Sequence, residues 1–368
     1  MADASIDPEF RDGLERLARG DVLDAASAAR LFGRIMDGDI SDIGIAAFLM
    51  ALRTRGETSA ELAGAVRAMR DRMIGLSDVP ADTVDVCGTG GDGLGTLNVS
   101  TAVAFVLASM GVPVAKHGNR SQSSRSGATD VVAALGVGMP DDPLVLSRLL
   151  RDTGLVFLAA PNHHPAMRHA APVRRGLGIR TLFNLVGPLS NPAAVRRQLI
   201  GVYDVAWLMP VVETARDLGA TCVWAVHGET ARGGTDELTL AGDNHVVGLD
   251  DGQIRTFTVT AEMAGLPSAP IEAIVGGDPR HNAQALEALL GGATGPYRDT
   301  VVLNAAVALH VAGRGGILDE GRIAPAALRD NVTRVGTALA SGQALQVLRT
   351  LREASSSQLL AAMNTGTA

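Results

Sequence analysis

The stretch DVCGTGGDGLGTLNVSTA, residues 85–102, runs from a short apolar strand through a glycine-rich loop into a helical pattern. Side chains are nearly absent over residues 88–95, so backbone N–H groups there can approach an anion closely. Asn98, Ser100 and Thr101 open the helix that follows; they are good capping residues, and their oxygens also suit a ligand or a metal. A second loop, KHGNRSQSSRSGATD (116–130), follows the strand-like run 112–115. It adds an ammonium (Lys116), an imidazole (His117), a guanidinium (Arg120) and hydroxyls at Ser121, Ser123, Ser124 and Ser126. Two such loops predict a ligand carrying more than one phosphate group.

Outward from these loops, strand-like runs at 84–87, 112–115, 155–159, 199–202 and 221–226 alternate with helical patterns at 101–110, 129–135, 143–150 and 205–218. That alternation predicts an α/β fold with a mainly parallel central sheet and helices on its faces. Ligands then bind where the strands end. Residues 10–73 show no strand signal: Leu14 and Leu17, Leu31 and Ile35, then Ile45, Phe48, Leu49 and Leu52 recur at helical spacing. Ser41 and Thr58 read as N-caps in a small N-terminal helical unit of about four helices. Residues 238–259 read as antiparallel hairpin strands, including a Leu-Thr-Leu strand at 238–240, and the C-terminal third returns to helices.

A chain of 368 residues, 46% hydrophobic and 19% charged, is long enough for a sizeable core and two domains. The net charge of −7 argues against general attraction to nucleic acid, and 3% aromatic residues are too few for a base-stacking surface. Cys87 and Cys222 each stand alone in apolar runs and read as core residues. MADASIDPEF lacks the basic-then-apolar order of a signal peptide, and no apolar run reaches the roughly 20 residues of a membrane span; a cytoplasmic protein is expected.

GTGGDGLG resembles a dinucleotide fingerprint, but Asp92 breaks the spacing and no ribose-reading acid follows at about 20 residues. Asp92 suits a ribose hydroxyl or a hydrated cation. Asp236 and Glu237 follow a Gly-Gly turn; neighbouring carboxylates in a loop can hold a hard cation, whereas in a regular strand they would face opposite ways. Residues 159–192 carry three histidines and four arginines among prolines. No HExxH-like pair is present, so metal is not expected there, while Arg174, Arg175 or Arg180 could grip a carboxylate.

These runs, together with HPAMRHAAPVRRGLGIRTLFNLVGPLSNPA and GTDEL, resemble the anthranilate phosphoribosyltransferases over nearly the entire chain. The resemblance implies transfer of the phosphoribosyl group of phosphoribosyl pyrophosphate (PRPP) to anthranilate in tryptophan biosynthesis, with Mg²⁺. It implies a helical domain (1–78, with a return segment at 171–192), an α/β domain (79–170 and 193–368) and a homodimer formed through the helical part. On the resemblance, Gly88, Gly91, Asp92, Thr96, Asn98, Ser100 and Thr101 hold PRPP. Lys116, His117, Gly118, Asn119, Arg120, Ser121, Gln122, Ser123, Ser124 and Ala128 complete that site. Gly88, His117, Asn119, Arg174 and Pro188 would meet anthranilate, and Ser100, Asp236 and Glu237 would face the metal. Where Ala128 stands the family often has serine.

No residue is assigned as acid or base. An aromatic amine is neutral at pH 7 and already nucleophilic, so electrostatic stabilisation of the departing pyrophosphate would carry the reaction. Two alternatives remain open at this point: a pyrimidine nucleoside phosphorylase-like enzyme, which needs only inorganic phosphate, and a non-enzymatic nucleic-acid-binding relative.

Overall fold

The structure is a computed structural model that describes residues 7–119 and 126–365, with side chains through residue 357. Four helices come first: α1 (Pro8–Ala18), α2 (Ala25–Asp37), α3 (Asp42–Arg55) and α4 (Ser59–Arg70). Ser41 caps α3 through Gly44 N–H, and Thr58 with Glu61 forms a reciprocal capping box on α4, as their sequence positions predict. Gly64 lets α4 lie directly on α2, because a Cβ there would sit 2.6 Å from the Ala25 carbonyl.

Strands and helices then alternate: β1 (Val84–Gly88), α5 (Val99–Ser109), β2 (Val114–Gly118), α6 (Ala128–Ala134), α7 (Pro143–Thr153) and β3 (Leu155–Ala159). Three short helices follow, α8 (Ala160–His163), α9 (Ala171–Leu177) and α10 (Phe183–Val186), before β4 (Arg197–Gly201), α11 (Leu208–Asp217) and β5 (Cys222–Thr230). A short β6 (Gly233–Thr235) leads to the hairpin β7 (Asn244–Asp250) and β8 (Gln253–Val259), and the chain ends in helices α12 (Pro279–Leu290), α13 (Pro296–Val311), α14 (Pro325–Ala340) and α15 (Gln343–Thr365).

The main sheet runs β3-β2-β1-β4-β5-β7-β8, with β6 paired to β5. Strands β1 to β5 are parallel, and β7 and β8 extend the sheet antiparallel. Residues 238–240, expected as a strand, are not one; their backbone is tied by side chains, with Asn304 on Leu238 and Asn244 on Thr239. One face of the sheet is covered by α5, α12, α13 and α14 in a cluster that includes Phe105, Trp224 and Leu303. On the other face an apolar cluster runs without a break from Phe10, Phe32 and Phe48 through Phe183 to Ile200 and Val223. The helical unit is thus joined to the sheet by buried side chains as well as by the chain itself. In the stretch 171–186, α9 packs on α3 and α10 on α4. Among the described residues no helix is long and apolar enough to cross a membrane.

Glu61 ties this unit together. Fully buried, it accepts from Leu23 N–H (3.0 Å), pairs with Arg55 and closes the box with Thr58. Glu61→Ala leaves all three donors unmatched inside the unit, so urea denaturation should show a loss of about 3 kcal/mol.

Candidate active site

The chain builds β1, β2 and β3 toward one edge, then places β4 and β5 on the other side of β1. The carboxyl ends of β1 and β4 therefore bound the switch-point crevice where open α/β sheets bind ligands. Gly88 and Gly201 stand opposite each other there, and Thr89 N–H donates to the Gly201 carbonyl (2.9 Å). A side chain on either glycine would collide with Asp236: at Gly88 with its carboxylate, at Gly201 with its backbone. Beyond Gly88 the loop turns through Gly90, Gly91, Gly93 and Gly95, all at φ between 63° and 78°, where L-residues are strained.

Asp236 and Glu237 are half-buried in a bend just after β6, which resolves their expected conflict of direction. Asp236 Oδ2 accepts from Gly90 N–H (2.6 Å) and Glu237 Oε1 from Ser100 N–H at the start of α5 (3.0 Å). Asp92 joins them from the glycine loop, accepting from Leu94 N–H and from the Thr235 hydroxyl, each at 3.1 Å. Beneath lies Lys116, 2% exposed, whose Nζ donates to the Val86 carbonyl (2.7 Å) and to Ser100 Oγ (3.2 Å).

Burial, then repulsion from Asp92 and Glu237, pushes the Asp236 carboxyl well above the usual range. Burial pushes Glu237 up to about 7, against the pull of Lys116 and of the Ser100 N–H. Three carboxylates gathered beside one buried ammonium form a site short of positive charge. Its donors are hard oxygens, and that set fits Mg²⁺. The Thr101 hydroxyl, also fully buried, has no partner among the described residues.

The second loop and the 160–192 stretch meet on the other side of Gly88. His117 donates its backbone N–H to Asp85 Oδ1 (3.1 Å), and its Nδ1 lies 3.1 Å from the Gly187 carbonyl, so Nδ1 carries the ring proton. Its Nε2 is then an acceptor for His164 Nε2 at 3.2 Å. Burial, with like-charge repulsion from neighbouring histidines, drives His117 well below its usual value and His164 down to about 4, so both rings are neutral. The Pro188 carbonyl accepts from Gln198 Nε2 (2.8 Å), which fixes that corner of the return segment.

Arg174 lies over the Phe183 ring (5.5 Å to the centroid), with no hydrogen-bond acceptor among the described residues, and burial lowers its pKa. Arg175 is exposed; Arg180 stacks on Tyr203 (4.2 Å) and packs against Gly91. Asn119 is exposed where β2 ends and accepts Thr129 N–H through its carbonyl (3.3 Å). Ala128 opens α6; a Cβ on Gly118 would lie 3.1 Å from the Ala128 methyl group. Arg120, Ser121, Gln122, Ser123 and Ser124 lie outside the described residues. Thr96 pairs with Val275 and Asn98 sits at the N-cap of α5, but the expected cap is not made: the Asn98 side chain bonds Asn282 instead.

At the opposite end of the sheet Cys222, Asp250 and His310 also converge. His310 Nδ1 accepts from Ile317 N–H (3.3 Å), which leaves the ring proton on Nε2 for Asp250 (2.5 Å), and Trp224 Nε1 donates to the same carboxylate (3.2 Å). The ligand atoms are consumed by these bonds, and the group is a buried brace. Sequence reading did not single out His164, Tyr203, Asn282 or Tyr297. The His163-His164 pair was the one visible signal; the others reach the site only through long-range contacts.

Two family profiles cover the chain: the helical bundle domain of the glycosyl transferase family over residues 11–73, and that family's a/b domain over residues 80–345. The class is therefore a glycosyl transferase built from a helical bundle and an α/β domain. The anthranilate phosphoribosyltransferase of Gluconobacter oxydans is 57% identical over 348 residues, 95% of this chain and 96% of that one. The crystal structure of anthranilate phosphoribosyltransferase from Thermus thermophilus superposes with a TM-score of 0.84 at 39% identity, over 94% of this chain and 99% of that one. The Saccharomyces cerevisiae enzyme in complex with PRPP and Mg also gives 0.84, at 26% identity, over 96% and 99%. The chain belongs to the anthranilate phosphoribosyltransferase family. These relatives favour the transferase over the phosphorylase and nucleic-acid-binding alternatives.

The neutral histidine pair has a consequence for stability. His164 takes a proton near pH 6.5 when unfolded but only near 4 when folded, so between those values the unfolded chain binds more protons and stability falls as pH falls. Chemical denaturation from pH 7 to 4 should show the wild type losing stability relative to His164→Gln by a few kcal/mol, on the order of 1.4 kcal/mol per pH unit. Parallel curves would mean that His164 titrates in the fold as it does in the unfolded chain.

Proposed function

We propose that this chain transfers the phosphoribosyl group of PRPP to the amine of anthranilate, giving N-(5-phosphoribosyl)anthranilate and pyrophosphate, with Mg²⁺ as the metal. The observation that carries this reading is the convergence of Asp92, Asp236 and Glu237 with the start of α5 at the mouth of a glycine loop. The bound PRPP and Mg of the yeast relative support it. Gly88, Gly91, Asp92, Thr96, Asn98, Ser100 and Thr101 cradle the pyrophosphate and ribose. Lys116 through Asn119, the loop through Ser124 and the start of α6 at Ala128 complete the cradle. Ser100, Asp236 and Glu237 would hold the metal, which when bound supplies positive charge to the departing pyrophosphate.

Arg174, a half-buried guanidinium without an acceptor among the described residues, grips the anthranilate carboxylate. His117, Asn119 and Pro188 flank the aromatic ring, and Gly88, lacking a side chain, lets the amine approach the sugar. The bond from the anomeric carbon to pyrophosphate breaks as the amine nitrogen bonds that carbon and then sheds one proton to solvent, and backbone donors of the first loop answer the charge that builds on the leaving group. The amine needs no activation, so positioning carries the rate. The described parts of 1–78 with the return segment 171–192 form one side of the cleft, and the described parts of 79–170 and 193–368 the other. Both substrates are water-soluble anions, in keeping with a cytoplasmic enzyme of tryptophan biosynthesis.

Anthranilate fluorescence should be consumed only when PRPP and Mg²⁺ are both present; phosphate-dependent thymidine cleavage would overturn the reading. In the same assay Arg174→Ala should raise KM for anthranilate by about tenfold or more, the size of one charge-assisted contact, and leave KM for PRPP nearly unchanged.

The chain pairs as a homodimer through the helical unit, where Ile43 on α3 is 83% exposed and Val22 is 51% exposed. Sedimentation should give a dimer that Ile43→Glu shifts toward monomer. A wild-type monomer at micromolar concentration would remove this part.

A further inference from the structure

Asn98 occupies the N-cap position of α5, yet its side chain makes no bond to the helix. The first N–H groups of a helix have no partner within it, and an Asn in this place ordinarily satisfies one of them. Here the carboxamide is drawn away. Asn282 on α12, 2% exposed, accepts from Gly277 N–H through Oδ1 (2.8 Å), which fixes its Nδ2 as the donor to Asn98 Oδ1 (2.9 Å). The backbone is pinned as well: Tyr297 donates its hydroxyl to the Asn98 carbonyl (3.1 Å), and Leu97 N–H donates to the Ile274 carbonyl (2.8 Å). Gly276 permits this approach, since a Cβ there would lie 2.8 Å from Asn282 Oδ1 and 2.9 Å from the Thr96 carbonyl.

With its oxygen consumed, the Asn98 carboxamide has only N–H donors left to offer. Glu237 takes Ser100 N–H, and Ala102 N–H bonds the Asn98 carbonyl (3.2 Å). No acceptor among the described residues takes the N–H groups of Val99 or Thr101. We propose that Asn282 is a positioning residue for phosphoribosyl pyrophosphate: it draws the Asn98 oxygen off the helix, frees helix N–H groups for a phosphate oxygen, and makes the carboxamide a pure donor. This rests on the first glycine loop being the PRPP site.

Asn282→Asp provides the discriminating test. The carboxylate still accepts from Gly277 N–H but sets an oxygen against Asn98 Oδ1, so the Asn98 carboxamide must turn over and present its oxygen to the phosphate. Steady-state kinetics and calorimetric titration with PRPP and Mg²⁺ should show KM and Kd for PRPP raised by about tenfold or more, the weight of about 1.4 kcal/mol. KM for anthranilate should stay within about twofold. Asn282→Ala should cost less, and nothing further when Asn98 is already Ala.

A milder effect of Asn282→Asp than of Asn282→Ala, or an Asn282→Ala cost that persists in full with Asn98→Ala, makes Asn282 a plain loop clamp and overturns the proposal. Should Asn282→Asp not fold, the Asn98/Asn282 double-mutant cycle decides alone. A wild type that binds no PRPP overturns the underlying reading instead; a wild type that binds it, with both Asn282 variants unaffected, overturns only the positioning role.

Discussion

The site depends on one piece of excluded volume. The bend carrying Asp236 and Glu237 enters between the ends of β1 and β4, and it fits because Gly88 and Gly201, paired across those strands, carry no side chains. From that position Asp236 reaches Gly90 and Glu237 reaches Ser100, so one two-residue segment fixes both the glycine loop and the start of α5. Any side chain at either strand end would force the bend outward and separate the loop from the helix it must act with.

The electrostatics follow from that placement. Bringing Asp92, Asp236 and Glu237 together in a half-buried space is unfavourable, and the raised proton affinities of Asp236 and Glu237 are the measure of it. Lys116 offsets part of the charge from below, with its ammonium anchored by Val86 and Ser100. The remainder is a demand for a cation, and the proposed magnesium-bound polyanion would meet that demand at the N–H groups of the loop and of α5. Local strain and local charge are both held by the surrounding parallel sheet.

The other wall comes from the helical unit. Its core is continuous with one face of the sheet; α9 carries Arg174, and the Gly187 carbonyl just after α10 meets His117. The Gly187 carbonyl fixes the tautomer of neutral His117, whose free nitrogen then accepts from the His164 ring N–H, and Arg174 rests on Phe183 with no acceptor among the described residues. On the proposed function, one wall would answer an aromatic carboxylate and the other a pyrophosphate, with Gly88 between them.

Much of this was legible in the chain. Period-2 and period-3.6 patterns separated the helical unit from the α/β region, the caps at Ser41 and Thr58 were readable, and the glycine loop between β1 and α5 was readable as a strand-to-helix turn, because those signals are local in backbone physics. The neighbourhood of Asp236 and Glu237 was not legible; their direction depends on whether the chain bends after β6. The Leu-Thr-Leu segment failed as a strand because side chains of Asn304 and Asn244 took its backbone groups. Asn98 had the right identity for a cap and was diverted by Asn282, a residue 184 positions away. The sequence by itself determined the elements, the loops and the kinds of charge, which follow from near-neighbour chemistry. Only the tertiary structure decided which carboxylates share a space and which partner the Asn98 carboxamide takes, since those depend on contacts between residues far apart along the chain.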